Sequence, residues 1–127
     1  MISLIDSSTT TLLSLALEAT TMRHQAIAHN IANASTPGYR PVSVSFEEFM
    51  TDAKHALKQG GSVPHSAIAN YRPMFDMATI EETGADAVSL DMEVAKLSQN
   101  TLHHQALLKA LNRHFSIIGT AISEGKR

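Results

Sequence analysis

Leu90-Asp91-Met92-Glu93-Val94-Ala95-Lys96-Leu97 opens the stretch that decides the architecture, and its pattern continues to Ile122. The series Leu90, Val94, Leu97, Thr101, His104, Leu108, Leu111, Phe115, Ile118, Ile122 alternates steps of four and three without a slip. That is a heptad seam, and a helix carrying it is about 50 Å long at ~1.5 Å per residue. A chain of 127 residues has too little mass to cover such a seam unless another long helix lies along it. Ser89 is a fitting N-cap, and Asp91 and Glu93 put negative charge where the helix dipole favours it. Gly119 costs about 1 kcal/mol relative to Ala inside a helix, unless something packs closely against it.

The partner helix is predicted at the other end of the chain. From Thr11 to Asn33 apolar residues fall on two adjacent stripes: Leu12, Leu15, Ala19, Met22, Ala26, and Leu13, Leu17, Ile27, Ile31. The combined face is wider than a two-helix seam, as expected for a helix with more than one neighbour. Ser7, Ser8 and Thr9 are candidate N-caps, and Pro37 requires the helix to stop, because its ring disfavours the α conformation at Thr36.

Between the two lies a segment of different character. It holds all four prolines and four of the six glycines. Val42, Val44 and Phe46 alternate with serines, which predicts a short extended piece. Phe46, Phe49, Met50, Ala53 and Leu57 share a face over a short helix from Phe46 to Lys58, ended by Gly60-Gly61-Ser62. Ser62 to Thr83 has weak periodicity and is read as loop or short strands. The predicted fold is therefore mainly α. The N-terminal helix (1–35) and C-terminal helix (89–127) pair as a coiled-coil-like bundle, around an irregular Pro/Gly-rich middle (36–88) with room for short β-strands.

Composition excludes several functions. Net charge is −2 and the basic residues are scattered, so no basic stripe marks a nucleic-acid surface. Cysteine is absent, which removes disulfides, thiolate metal sites and thiol nucleophiles. No apolar run approaches the ~20 residues of a membrane span. Residues 7–11 are Ser and Thr where a secretory signal would be apolar, so the N-terminus is not expected to be a cleaved leader. Seven histidines raise the question of a metal, but neighbours such as His103 and His104 diverge by ~100° on a helix. His24 and His29 stand five apart, and there is no HExxH. His104 occupies the seam, where a neutral imidazole hydrogen-bonded within the bundle is the expected state. Glu47-Glu48 and Glu81-Glu82 are adjacent pairs suited to a solvated face rather than acid–base chemistry. No catalytic residues, cofactor, metal or small-molecule substrate are expected.

The most specific local feature is Ala28-His29-Asn30-Ile31-Ala32-Asn33-Ala34-Ser35-Thr36-Pro37-Gly38-Tyr39-Arg40. Pro37-Gly38 suits the centre of a type II turn, where proline presets φ and glycine accepts φ > 0. Asn30 and Asn33 can bond backbone groups where the helix runs out of its own partners. Tyr39 offers an apolar body with a hydrogen-bonding tip.

This block, Asn30-Ile31-Ala32-Asn33-x-x-Thr36-Pro37-Gly38-Tyr39-Arg40, resembles the signature of bacterial flagellar basal-body rod and hook proteins, and Arg23 and Phe46 also fit the pattern. The C-terminal run from Leu90 through Asn100-Thr101-Leu102-His103-His104-Gln105-Ala106-Leu107 to Leu111-Asn112-x-x-Phe115 is similar to the terminal helix of the short proximal-rod members. His104 stands where the family is expected to carry an aromatic. The resemblance implies a non-enzymatic structural subunit of the proximal rod, exported by the flagellar type III apparatus without a cleaved signal. It implies self-assembly through the terminal helices into the periplasm-spanning axial tube that transmits torque. The implied partners are copies of itself, other rod proteins, and base or export-gate components.

On that reading the assembly interface comprises Leu12, Leu15, Ala19, Met22, Ile27 and Ile31 with Val94, Leu97, His104, Leu108, Leu111, Phe115, Ile118 and Ile122. Phe46-Glu47-Glu48-Phe49-Met50 resembles the docking motifs of early export substrates, with Phe46, Phe49 and Met50 as contacts. An amphipathic helix would bury the same residues, and burial is the favoured reading. The rival class is a cytoplasmic helical adaptor or export chaperone, which has no need of the Asn-Pro-Gly-Tyr region.

Overall fold

The computed structural model describes residues 2–58, 65–77 and 88–125. These form α1 (Ile2–Ala32), β1 (Val42–Ser45), α2 (Glu47–Lys58), α3 (His65–Asn70), β2 (Met74–Met77) and α4 (Leu90–Gly125). The chain is mostly helical, with two long terminal helices and a small two-stranded sheet in the middle.

The first helix departs from expectation at its start. It runs from Ile2 rather than from Thr11, so the hydroxyl run at 7–11 lies inside the helix instead of capping it. Ser and Thr cost only a few tenths of a kcal/mol each relative to Ala, and no Gly or Pro interrupts the chain before Pro37. The helix ends at Ala32, where Asn33 bonds back to the His29 carbonyl through its backbone N–H at 3.0 Å and its side-chain amide at 2.9 Å.

The middle segment wraps one side of α1. β1 pairs with β2 antiparallel, Val42 opposite Met77 and Ser45 opposite Met74. Between the strands, α2 and α3 bring Phe46 and Ile68 onto Leu15, Ala16 and Ala19 of α1, with Leu12, Phe49, Met50, Tyr71 and Leu107 packed around them. Phe49 stacks on Tyr71 with ring centroids 4.1 Å apart, and the Tyr71 hydroxyl donates to the Ser45 carbonyl at 2.6 Å. The helix at His65–Asn70 was not expected from the sequence, because six residues are too few to display a period. The predicted Gly60-Gly61-Ser62 stop lies outside the described residues.

α4 lies antiparallel along α1, as contacts of Asn30 with Glu93 and Thr20 with His104 require. Ser89 accepts the first turn's bond from the Glu93 N–H at 2.9 Å, as an N-cap residue does. The α4 residues that are at least half-covered are Glu93, Leu97, Asn100, His104, Leu107, Leu111, His114 and Ile118, again in steps of four and three. The predicted seam and this one share only Leu97, His104, Leu111 and Ile118. The other predicted row, Leu90, Val94, Thr101, Leu108, Phe115 and Ile122, is exposed.

α4 is thus rolled about 50° from the seam its apolar residues define, one seventh of a turn on heptad geometry. Two features of α1 explain the roll. Asn30 and Thr20 offer hydrogen bonds that Glu93, Asn100 and His104 can meet, and the core on the Phe46 side draws in Leu107.

Candidate functional site

Asn30 is the hub of the signature block. Its side-chain Nδ2 donates to the Val42 carbonyl at 2.9 Å and to Glu93 Oε2 at 3.2 Å. Its Oδ1 accepts from the Val42 N–H and the Tyr39 hydroxyl, each at 2.8 Å. Both donors and both acceptor positions of the amide are therefore used. By bonding both backbone groups of Val42, the amide serves the first residue of β1 as a neighbouring strand would.

The turn that makes this possible is built by the residues between. Thr36 accepts the Tyr39 N–H at 3.2 Å across Pro37-Gly38, and Gly38 has φ +71°, which glycine adopts without a Cβ penalty. Thr36 Oγ1 donates to Asn33 Oδ1 at 3.2 Å. The turn reverses the chain so that Tyr39 and Val42 come back to the helix they left.

Glu93 is a carboxylate held at 4% exposure, compensated by the Asn30 amide and by Lys96 Nζ at 2.8 Å. Burial pushes the Tyr39 phenol above its ordinary range, and the nearby Glu93 carboxylate adds to the shift. One heptad along α4, the Asn100 amide donates to the Thr20 carbonyl at 2.8 Å. The Thr20 hydroxyl lies 2.8 Å from Leu17 O and 2.7 Å from His104 Nδ1, within hydrogen-bonding distance of both. Sequence reasoning did not single out Thr20 or Asn100. Their polar types give no apolar period to follow, and only the α1 backbone opposite makes their burial affordable.

Two grooves flank this polar seam. One, of about 580 Å³, is floored by Ala26, Ile27 and Val44 and rimmed by the Arg23–Glu47 and Lys96–Glu93 ion pairs, both at 2.8 Å. Arg23 and Glu47 on one rim, and Lys96 and Glu93 on the other, are paired with each other, and His103 also lines the groove. The second, also about 580 Å³, opens on the other side between Thr21 and His24 of α1 and Thr101, Gln105 and Leu108 of α4. Among the described residues no three His, Cys, Asp or Glu converge as metal ligands, and no helix is long and apolar enough to cross a membrane.

The expected interface residues divide by location. Leu15, Ala19 and Ile27 are buried within the subunit, and Leu12, Met22, Ile31, Leu97, His104, Leu111 and Ile118 are half-buried. Val94, Leu108, Phe115 and Ile122 stand exposed, at 42–57%. Of the block itself, Asn30 is buried; Ile31, Asn33, Tyr39 and Arg40 are half-buried; Ala32, Thr36, Pro37 and Gly38 face outward. Phe46 is buried, and Phe49 and Met50 are half-buried beside it.

No protein-family model matches the chain. Individual relatives do. A flagellar basal body rod protein FlgB of Bacillus subtilis (strain 168) is 27% identical over 117 residues, 87% of this chain and 90% of the relative. The FlgB of Aeromonas hydrophila is 27% identical over 108 residues, covering 80% of this chain and 82% of its own. One from Cereibacter sphaeroides is 31% identical over 111 residues, 79% of this chain and 82% of the relative. The chain belongs to the FlgB family of flagellar basal-body rod proteins. Alignment over about four fifths of each chain takes in far more than either terminal helix alone, and the FlgB likeness is to structural rod proteins.

Proposed function

We propose that this FlgB-family chain is a subunit of the proximal rod, exported through the flagellar type III apparatus and assembled by its terminal helices into the axial tube that carries torque. The observation that carries the reading is a mismatch within α4. A chain of this family folds with the apolar row Val94, Leu108, Phe115 and Ile122 turned away from its own α1. Such a row on an isolated subunit is surface left for contact with others.

On this proposal the helices of 1–35 and 89–127 form the axial unit, and 36–88 is the variable module beside it. The partners are copies of the chain, other rod proteins and components of the base. Heterologous contacts of that kind propagate rather than close. The subunit acts by shape and adhesion, without catalysis. Phe46, Phe49 and Met50 supply the export docking contact only while the chain is unfolded, because Phe46 is then free of the core it joins on folding.

The test is deletion of the gene in its own host, with the envelope imaged by electron cryotomography. A membrane ring and export gate lacking rod, hook and filament are the expected result. Intact flagella, with the protein retained in the cytoplasm, would return the adaptor reading.

A further inference from the structure

The corner where α3 passes into β2 packs on the start of α2, which carries the docking residues. Tyr71 stands at that corner. Its ring stacks on Phe49 with centroids 4.1 Å apart and tilts against Phe46 at 5.8 Å, and its hydroxyl donates to the Ser45 carbonyl at 2.6 Å. Ile68 joins Phe46 in the core from the same corner. Bonds within the corner stiffen it: the Tyr71 N–H donates to the Ile68 carbonyl at 3.3 Å, and Arg72 Nη1 to the Ala69 and Tyr71 carbonyls at 2.9 and 2.7 Å. Tyr71 thus fills the place against Phe46 and Phe49 that a docking partner would need.

The remaining ties on α2 are weaker. Arg23 pairs with Glu47 at 2.8 Å, but the Glu47 side chain is 79% exposed, where an ion pair contributes little. On α1, Phe46 meets Leu15, Ala16 and Ala19, two of them alanines that offer little surface. A 12-residue helix is marginal alone in water, so α2 melts once its packing is withdrawn. The α1–α4 pair is held separately, by the contacts of Asn30 with Glu93 and of Thr20 with Asn100.

From these observations, and resting on the export reading above, we propose that Tyr71 and its α3–β2 corner form a strap that holds the docking motif shut. The unfolding that frees Phe46, Phe49 and Met50 then goes no further than this corner and α2, while α1 and α4 stay paired. Folding and export compete through the strap, because Tyr71 and the docking site contend for the same two phenylalanine rings. Such an opening is a sub-global one, confined to a unit with few buried contacts of its own.

The experiment joins hydrogen exchange of the purified full chain, read by mass spectrometry, to a secretion assay in cells. In Tyr71→Ala, exchange over residues 50–58 should rise at least tenfold, with residues 20–30 and 93–104 changed less than twofold. Tyr71→Phe keeps the stacked ring and gives up the bond to Ser45, so the same pattern should appear at smaller amplitude. The secreted fraction should at least double in Tyr71→Ala, and adding Phe46→Ala should cancel the gain. Exchange that rises together in all three regions makes the corner part of one cooperative unit and overturns the inference. Freed α2 without a gain in secretion overturns it too. The docking reading survives either result if Phe46→Ala alone lowers secretion. Wild-type secretion of Phe46→Ala removes that reading and the inference with it.

Discussion

Asn30 shows how one side chain can join three parts of a chain. Its amide ties the end of α1 to the start of β1, to the returning turn and to the first turn of α4. Asn30→Ala would leave the Val42 backbone and the Glu93 carboxylate short of partners in a buried setting. We expect a loss of about 2–3 kcal/mol in chemical denaturation. Tyr39 reports on the same spot by pH. Its folded pKa is raised, so the stabilisation it brings is complete below pH ~10, the unfolded phenol's value, and is lost as pH rises through the folded pKa. The alkaline limb of a Tm-against-pH profile should therefore flatten in Tyr39→Phe. The sequence made the turn legible, since Pro37-Gly38 has few other uses. It did not show that Asn30 would face Glu93, because that pairing depends on how α4 rolls.

The two long helices were plain from periodicity, yet periodicity misplaced the face by which they meet. A heptad count weighs Leu108 and Phe115 as seam residues because they are apolar. The fold sets them outside and buries Glu93 and Asn100, each about 95% covered, because α1 presents amide and carbonyl partners to them. Hydrogen-bond complementarity across the pair outweighed hydrophobicity along one helix. Opposite consequences follow for neighbouring rows. Leu111→Asp should cost the isolated subunit about 2 kcal/mol or more by urea denaturation, since it puts a charge against α1. Phe115→Asp should leave that stability within ~0.5 kcal/mol and remove rod assembly in cells. Gly119→Ala should raise subunit stability by about 0.5–1 kcal/mol, seen as a higher melting temperature, because nothing in the subunit opposes the methyl group.

For the molecule as a whole, the core is small and serves two proposed ends. Phe46 lies at 5% exposure among Leu15, Ala16, Ala19 and Ile68, and those contacts make it unavailable to any docking site once the chain folds. Phe46→Ala should therefore lower folded stability by about 3 kcal/mol as well as impair export. Ile68→Ala, which loosens the same core and leaves the motif intact, separates the two effects. Secretion assays should find export reduced by Phe46→Ala and maintained by Ile68→Ala. Equal secretion of both variants would show that Phe46 acts only as a core residue.

The polar seam has a mechanical meaning as well. An all-leucine pair of helices can slide by a heptad and find an equivalent fit. Sliding α4 along α1 here would part Asn30 from Glu93, and Thr20 from both Asn100 and His104, in a single motion. Each separated group would remain in a place water reaches poorly. The contacts work like a key seated in a shaft, resisting shear along the helix axis while leaving the outer row of α4 exposed. In a column that turns, that resistance would keep each subunit's own length constant under load, and twist would pass between subunits rather than being lost within them.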